Sequence, residues 1–137
     1  MTCVVLDASA AVEYLLRTQS GTLVAATLEQ AAVDLHAPSL CDIEVASALR
    51  SLVIAKKLSI ARAREVLADY TDLPITRHGH VSLLVRMLDL HDNMSAYDAT
   101  YVALAESLDA VLVTCDVALS KAVKAHLPDL DVTAFGD

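Results

Sequence analysis

The sequence predicts an α/β sandwich built on a mainly parallel sheet. Short β-rich runs alternate with longer helical stretches, the pattern of helices layered on a sheet. The first crossover, from TCVVLD to LHAP, is long enough to return to a parallel neighbour. The apolar runs VVL and AVLV lack the period-two alternation of half-exposed strands, as expected for central strands buried on both faces.

The elements follow in order. TCVVLD, ending at Asp7, is the first strand. A helix runs from about Ser9, a residue able to cap it, to Thr18, and a second from about Thr22 to Val33 leads into LHAP. Pro38 and Ser39 mark the start of a helix over about Leu40 to Lys57, with Asp42 as its capping-box acid; another helix spans about Ser59 to Tyr70. Pro74 and Gly79 bracket a brief strand in LPITRHG. Helices from about His80 to Leu90 and from about Ala96 to Leu108 precede AVLVTCD, the second continuous apolar strand. A helix from about Val117 to Ala125 and a last strand near VTAF complete the pattern. With no repeat or low-complexity linker, residues 1–137 are expected to form a single domain.

The hydrophobic fraction is 55% and the mean hydropathy +0.50, yet no apolar run reaches the roughly 18 residues that would span a bilayer. No membrane association is expected; the excess predicts an apolar surface covered by a second subunit or a partner. The stretch MTCVVLDASAAVEYLL lacks the basic region of a signal peptide, which predicts a cytoplasmic protein. Cys3, Cys41 and Cys115 have no zinc-site spacing and read as buried free thiols. A net charge of −8 opposes binding of nucleic acid, unless several acids gather around a cation that inverts the local charge.

Four acids are candidates for such a site. Asp7 and Asp116 each end an apolar strand, where ligands of open parallel sheets bind. On neighbouring strands, about 4.8 Å apart, they can share one Mg²⁺. Each also suits a helix cap, so local sequence leaves both roles open. Thr114 either hydrogen-bonds a metal ligand or closes its strand. Asp98, in SAYDATYVALAESL, forms a capping-box-like pair with Ser95. An apolar stripe of Tyr97, Tyr101, Leu104 and Leu108 beside it turns the carboxylate toward the protein, where it needs a partner. Glu44 has no capping role and shares its helix face with the small residues Ser47, Ala48 and Ser51, which allow a substrate backbone to approach.

Other residues read more simply. His78 and His80 decorate a loop, while His36, His91 and His126 are isolated. Lys56, Lys57, Arg62 and Arg64 form the densest basic patch, the solvated faces of two helices. Like charges at about 4 Å cost about 4 kcal/mol per pair at an effective dielectric of 20, so convergence of the four acids requires a divalent cation. That chemistry suits attack of a metal-activated water on a phosphodiester. A Mg²⁺-dependent phosphoryl-transfer protein of receiver type also places Asp after its first strand. It would add an adjacent acid or a lysine after a later strand, and Asp7-Ala8-Ser9 supplies neither cleanly.

The segments VVLDASA, EVASAL, SAYDATYVALAESL and LVTCD, in this order and spacing, resemble the PIN-domain family, in particular the VapC-type toxins of bacterial toxin–antitoxin pairs. The resemblance covers essentially the whole chain. It implies a three-layer sandwich around a five-stranded, mainly parallel sheet, and Mg²⁺- or Mn²⁺-dependent endonucleolytic cleavage of RNA. The family's acidic quartet falls on Asp7, Glu44, Asp98 and Asp116. Asp7 and Asp98 are the implied direct metal ligands, with Asp116 and Glu44 completing the site directly or through water. Thr114 matches a family hydroxyl near the last acid and, with Ser9, is expected to support the ligands. The resemblance also implies a homodimer and a cognate antitoxin, with the helices from Leu40 to Tyr70 as the partner surface. The implied substrate is RNA recognised by shape and unpaired bases. A catalytically silent interaction module of the same fold is the alternative, made less attractive by the presence of all four acids.

Overall fold

A computed structural model describes residues 2–30 and 32–136. Five strands, β1 (Thr2–Leu6), β2 (Val33–Pro38), β3 (Ile75–His78), β4 (Val111–Thr114) and β5 (Val132–Ala134), form one sheet in the order β3-β2-β1-β4-β5. Every pairing is parallel. The expected parallel sandwich is therefore present with the five strands the resemblance implied. β1 is central, which explains its unbroken apolar run: Val4, Val5 and Leu6 are all at most 1% exposed.

The chain winds outward from β1 to β3, then crosses back to place β4 on the other side of β1. The carboxyl ends of β1 and β4 thus flank the point where the strand order reverses, the place where open α/β sheets bind ligands. This order also differs from the 2-1-3-4-5 order of receiver-type sheets.

The helices are α1 (Ala8–Leu16), α2 (Gln19–Leu28), α3 (Leu40–Ile54), α4 (Ile60–Asp72), α5 (Leu84–Asp89), α6 (Ala96–Leu108) and α7 (Val117–His126). With this strand order, the right-handed crossover rule for parallel sheets assigns α1 to α4 to one face of the sheet and α5 to α7 to the other. α1 packs on α2, α3 and α4, while α6 lies against β1, β2 and β4. The core joins Val45 and Leu49 of α3, Val66 and Tyr70 of α4, and Val102 and Ala105 of α6 to the central strands.

Several local expectations need correction. α1 starts at Ala8, not Ser9, because the Asp7 carboxylate accepts from the Ala10 amide and is itself the cap. α2 starts at Gln19 because Thr18, following Arg17 in the left-handed region, takes the cap; Val33 belongs to β2. α3 ends at Ile54, before a left-handed Lys56. The stretch after His80 begins as a 3-10 turn, Val81–Leu83. Asp42 is not a capping-box acid: it accepts from the Tyr70 hydroxyl at 2.7 Å and from Arg77 Nε at 2.9 Å, tying α3 to α4 and β3. Of the stripe predicted on α6, Tyr101 and Leu104 are buried and Leu108 is partly buried, whereas Tyr97 is 64% exposed. Cys41 alone of the three thiols is buried.

Gly21 of α2 sits against α1 so closely that a Cβ there would lie 1.9 Å from the Glu13 carbonyl oxygen. Val81, Leu84, Val85 and Leu88 expose an apolar stripe on the 3-10 turn and α5; Ile43, Ile54 and Ile60 do so on α3 and α4. Among the described residues, no helix is long and apolar enough to cross a membrane.

Candidate acidic metal centre

Asp7 directly follows β1 and is buried at 5% exposure. Its carboxylate is held at three points. Oδ1 accepts from the Ser9 hydroxyl at 2.7 Å and from the Ala10 amide at 2.9 Å; Oδ2 accepts from the Thr114 hydroxyl at 2.5 Å. Thr114 is at the end of β4, next to β1, and is fully buried. Its hydroxyl also accepts from the Asp116 amide at 2.9 Å, and the Ser9 hydroxyl accepts from the Cys115 amide at 2.9 Å. Ser9 and Thr114, both singled out from sequence, therefore splice the two strand ends together around one carboxylate.

Asp116 caps α7, accepting from the Leu119 amide at 3.1 Å. Asp98 lies in the first turn of α6, capped by Ser95, whose hydroxyl accepts from the Asp98 amide. Glu44 lies on α3 and accepts from the buried Tyr101 hydroxyl of α6 at 2.5 Å. Tyr101 was seen in the sequence only as part of an apolar stripe; its signal was that a buried tyrosine hydroxyl needs a partner.

Asp116 is within electrostatic reach of both Asp7 and Asp98, and Glu44 within reach of Asp98. Burial pushes the Asp7 carboxyl up to about 6, against the hydrogen bonds from Thr114, Ala10 and Ser9, and the Asp116 charge adds to the rise. Burial likewise raises Asp98, followed by the charges of Asp116 and Glu44. The like charges stay apart: among the described residues, no three of these carboxylates bring oxygens within 4.8 Å of one another. An oxygen-only set of partly desolvated carboxylates in mutual repulsion suits a hard divalent cation. Beside it, Ser9, Glu13, Ala48, Ser51, Lys57 and Cys115 line a groove, so two of the small residues predicted near Glu44 do border open space.

The Asp7 shift has a consequence in the metal-free protein. Between about pH 4 and pH 6 the folded state keeps a proton that the unfolded chain releases, so stability falls as pH rises through this window. Asp7→Asn removes that contribution. The difference in melting temperature between variant and wild type, followed by circular dichroism in chelator, should grow in the variant's favour from pH 4 to pH 6 and then level off.

The remaining candidates separate. His36 is not isolated but pairs with His78 and Asp34, and His80 Nε2 accepts from the Leu40 amide. Lys56, Lys57 and Arg64 are exposed, and Arg62 pairs with Glu65.

Comparison with known proteins supplies an independent line. The sequence profile of the PIN domain matches residues 4–125. The chain is 43% identical over 126 residues to Ribonuclease VapC9 of Mycobacterium tuberculosis, covering 91% of this chain and 94% of that protein. It is 36% identical over 131 residues to Ribonuclease VapC12 of the same organism, covering 96% and 99%. In fold it is similar to VapBC2 from Rickettsia felis bound to a promoter DNA fragment. That match has a TM-score of 0.69 at 12% identity and covers 98% of this chain and 99% of that one. It is also similar to PAE2754 from Pyrobaculum aerophilum, with a TM-score of 0.67 at 22% identity, covering 88% and 84%.

Proposed function

The chain belongs to the PIN-domain family, and from that membership we propose that it is a metal-dependent endoribonuclease, the toxin of a VapBC-type toxin–antitoxin pair. The observation that supports this reading is that Asp7 and Asp116 follow the adjacent strands β1 and β4, and that the Asp116 charge acts on Asp7 and, with the Glu44 charge, on Asp98. Asp7, Asp98 and Asp116 would hold a Mg²⁺ or Mn²⁺ ion, and Glu44 would complete the site directly or through water. When bound, such an ion supplies Lewis-acid stabilisation of phosphodiester charge and a water acidic enough to attack at neutral pH.

The chain's own residues set the geometry. Ser9, Ala10 and Thr114 fix the Asp7 carboxylate, and Tyr101 fixes Glu44. No side chain has to act as nucleophile. The groove past Ala48 and Ser51 admits an RNA backbone, with Lys57 as the cation on its wall. With a net charge of −8, affinity rests on the ion and this one edge, which favours unpaired RNA loops able to bend into the site. The apolar residues Ile43, Ile54 and Ile60 suit a cognate antitoxin, and the stripe on α5 suits a second copy of the chain. An RNA substrate of this kind places the protein in the cytoplasm.

The test is cleavage of structured RNAs by the purified chain, freed of partner. Cleavage is expected with Mg²⁺ or Mn²⁺ and none in EDTA. Equal turnover in both would take the metal out of the chemistry, and none with either ion would leave a silent module of the same fold.

A further inference from the structure

Away from the quartet, Cys3, Asp34 and His36 each bring one candidate ligand atom to within 4.8 Å of the others. The parallel register produces this cluster. Cys3 pairs with Asp34, His36 follows two residues on, and His78 pairs with Pro38, so alternation along the strands turns all four side chains to one face. His36, only 9% exposed, sits at the centre: its Nε2 is 2.8 Å from Asp34 Oδ2 and its Nδ1 is 2.8 Å from His78 Nε2. Cys3 is partly exposed, and the Asp34 side chain is 42% exposed, so the cluster opens to solvent.

We propose that Cys3, Asp34 and His36 form a second metal site, selective for a zinc-class divalent cation, with His78 orienting His36 from behind. The donor set carries the selectivity. A thiolate and an imidazole favour Zn²⁺ over Mg²⁺, whereas the quartet offers oxygen alone. Three protein ligands and one solvent position satisfy tetrahedral coordination; His36 and Asp34, 2.8 Å apart, open slightly while Cys3 closes in. The outer contact is the one a metal-bound imidazole requires. With Nε2 on the metal, Nδ1 carries the proton and donates to His78 Nε2, which burial and His36 hold toward the neutral, accepting form.

The protons balance. In the metal-free protein, a neutral His36 that donates from Nε2 to Asp34 accepts at Nδ1 from His78, the tautomer pair that satisfies both contacts. On binding, the tautomers of both rings exchange and the Cys3 thiol proton leaves to solvent. The ion would then tie Cys3 of β1 to Asp34 and His36 of β2, away from the carboxyl ends of β1 and β4 that carry Asp7 and Asp116. Its effect is to stabilise the sheet by mass action, not to cleave RNA.

The experiment uses the full chain in excess Mg²⁺, titrated with Zn²⁺ against a competing chelator and separately with Co²⁺. One Zn²⁺ per chain and a thiolate-to-cobalt charge-transfer band are expected. Cys3→Ser should abolish the band while leaving Mg²⁺-dependent RNA cleavage unchanged, whereas Cys115→Ser and Asp98→Asn should both retain the band. His78→Gln should weaken Zn²⁺ binding by about 10- to 100-fold. Asp34→Asn, at a half-exposed carboxylate, should lose zinc affinity with an unaltered circular dichroism spectrum, which separates ligand loss from misfolding. Failure to bind Zn²⁺, binding indifferent to Cys3→Ser and Asp34→Asn, or zinc lost with Asp98→Asn would each overturn the site.

Discussion

Replacing Asp98 with asparagine is expected to lower Mg²⁺-dependent RNA cleavage by about 1,000-fold while leaving the metal-free protein as stable as wild type or more so. The two halves have one cause. Asp98 is half-buried at the start of α6, and its carboxyl is raised by burial and then by the charges of Asp116 and Glu44. Without a cation that charge opposes the fold, so neutral Asn relieves repulsion; the Ser95 cap uses the Asp98 backbone amide and survives. With a cation the same charge is a ligand. Losing a contribution of about 4 kcal/mol from metal-assisted stabilisation of the transition state corresponds to about a thousandfold in rate. Single-turnover cleavage in Mg²⁺ and melting in EDTA measure the two halves. A large drop in melting temperature without metal would make Asp98 a structural cap.

Gly21→Ala should destabilise the protein by about 3 kcal/mol, near the upper end of ordinary overpacking, or about 10 °C in melting temperature. Helix propensity predicts the opposite sign, because alanine replaces glycine inside α2. Packing wins because the added Cβ would meet backbone: the Glu13 carbonyl oxygen at 1.9 Å and its carbon at 2.5 Å, atoms that no rotamer change can move. α1 and α2 must separate, and α1 carries Asp7 at its cap and Ser9 in its first turn. Activity at low temperature should therefore fall along with stability. An unchanged or raised melting temperature would show that the two helices yield without cost.

The strands and the acids were legible for the same reason. VVL and AVLV are too uniformly apolar to be half-exposed, and an aspartate directly after each is conspicuous. Whether Asp7 was a cap or a site residue could not be decided locally, because one carboxylate accepts from the α1 backbone and also sits among the other acids. Thr18 was overlooked as the α2 cap because its neighbour Arg17 adopts a left-handed turn that its residue type does not announce. The Cys3, Asp34, His36 and His78 cluster left no trace in spacing. Its members lie on three strands, and only the β1–β2–β3 register brings them together.

The central position of β1 beside β4 also sets a clock. The hydroxyl that holds the Asp7 Oδ2 belongs to Thr114, which is made 107 positions later. A ribosome working at about 5–20 residues per second needs several seconds to cover that interval. Glu44 and then Asp98 are added within it, and only after Asp98 do β4 and Asp116 follow. Until β4 and Asp116 are made, the site lacks both the hydroxyl that holds Asp7 and its fourth acid.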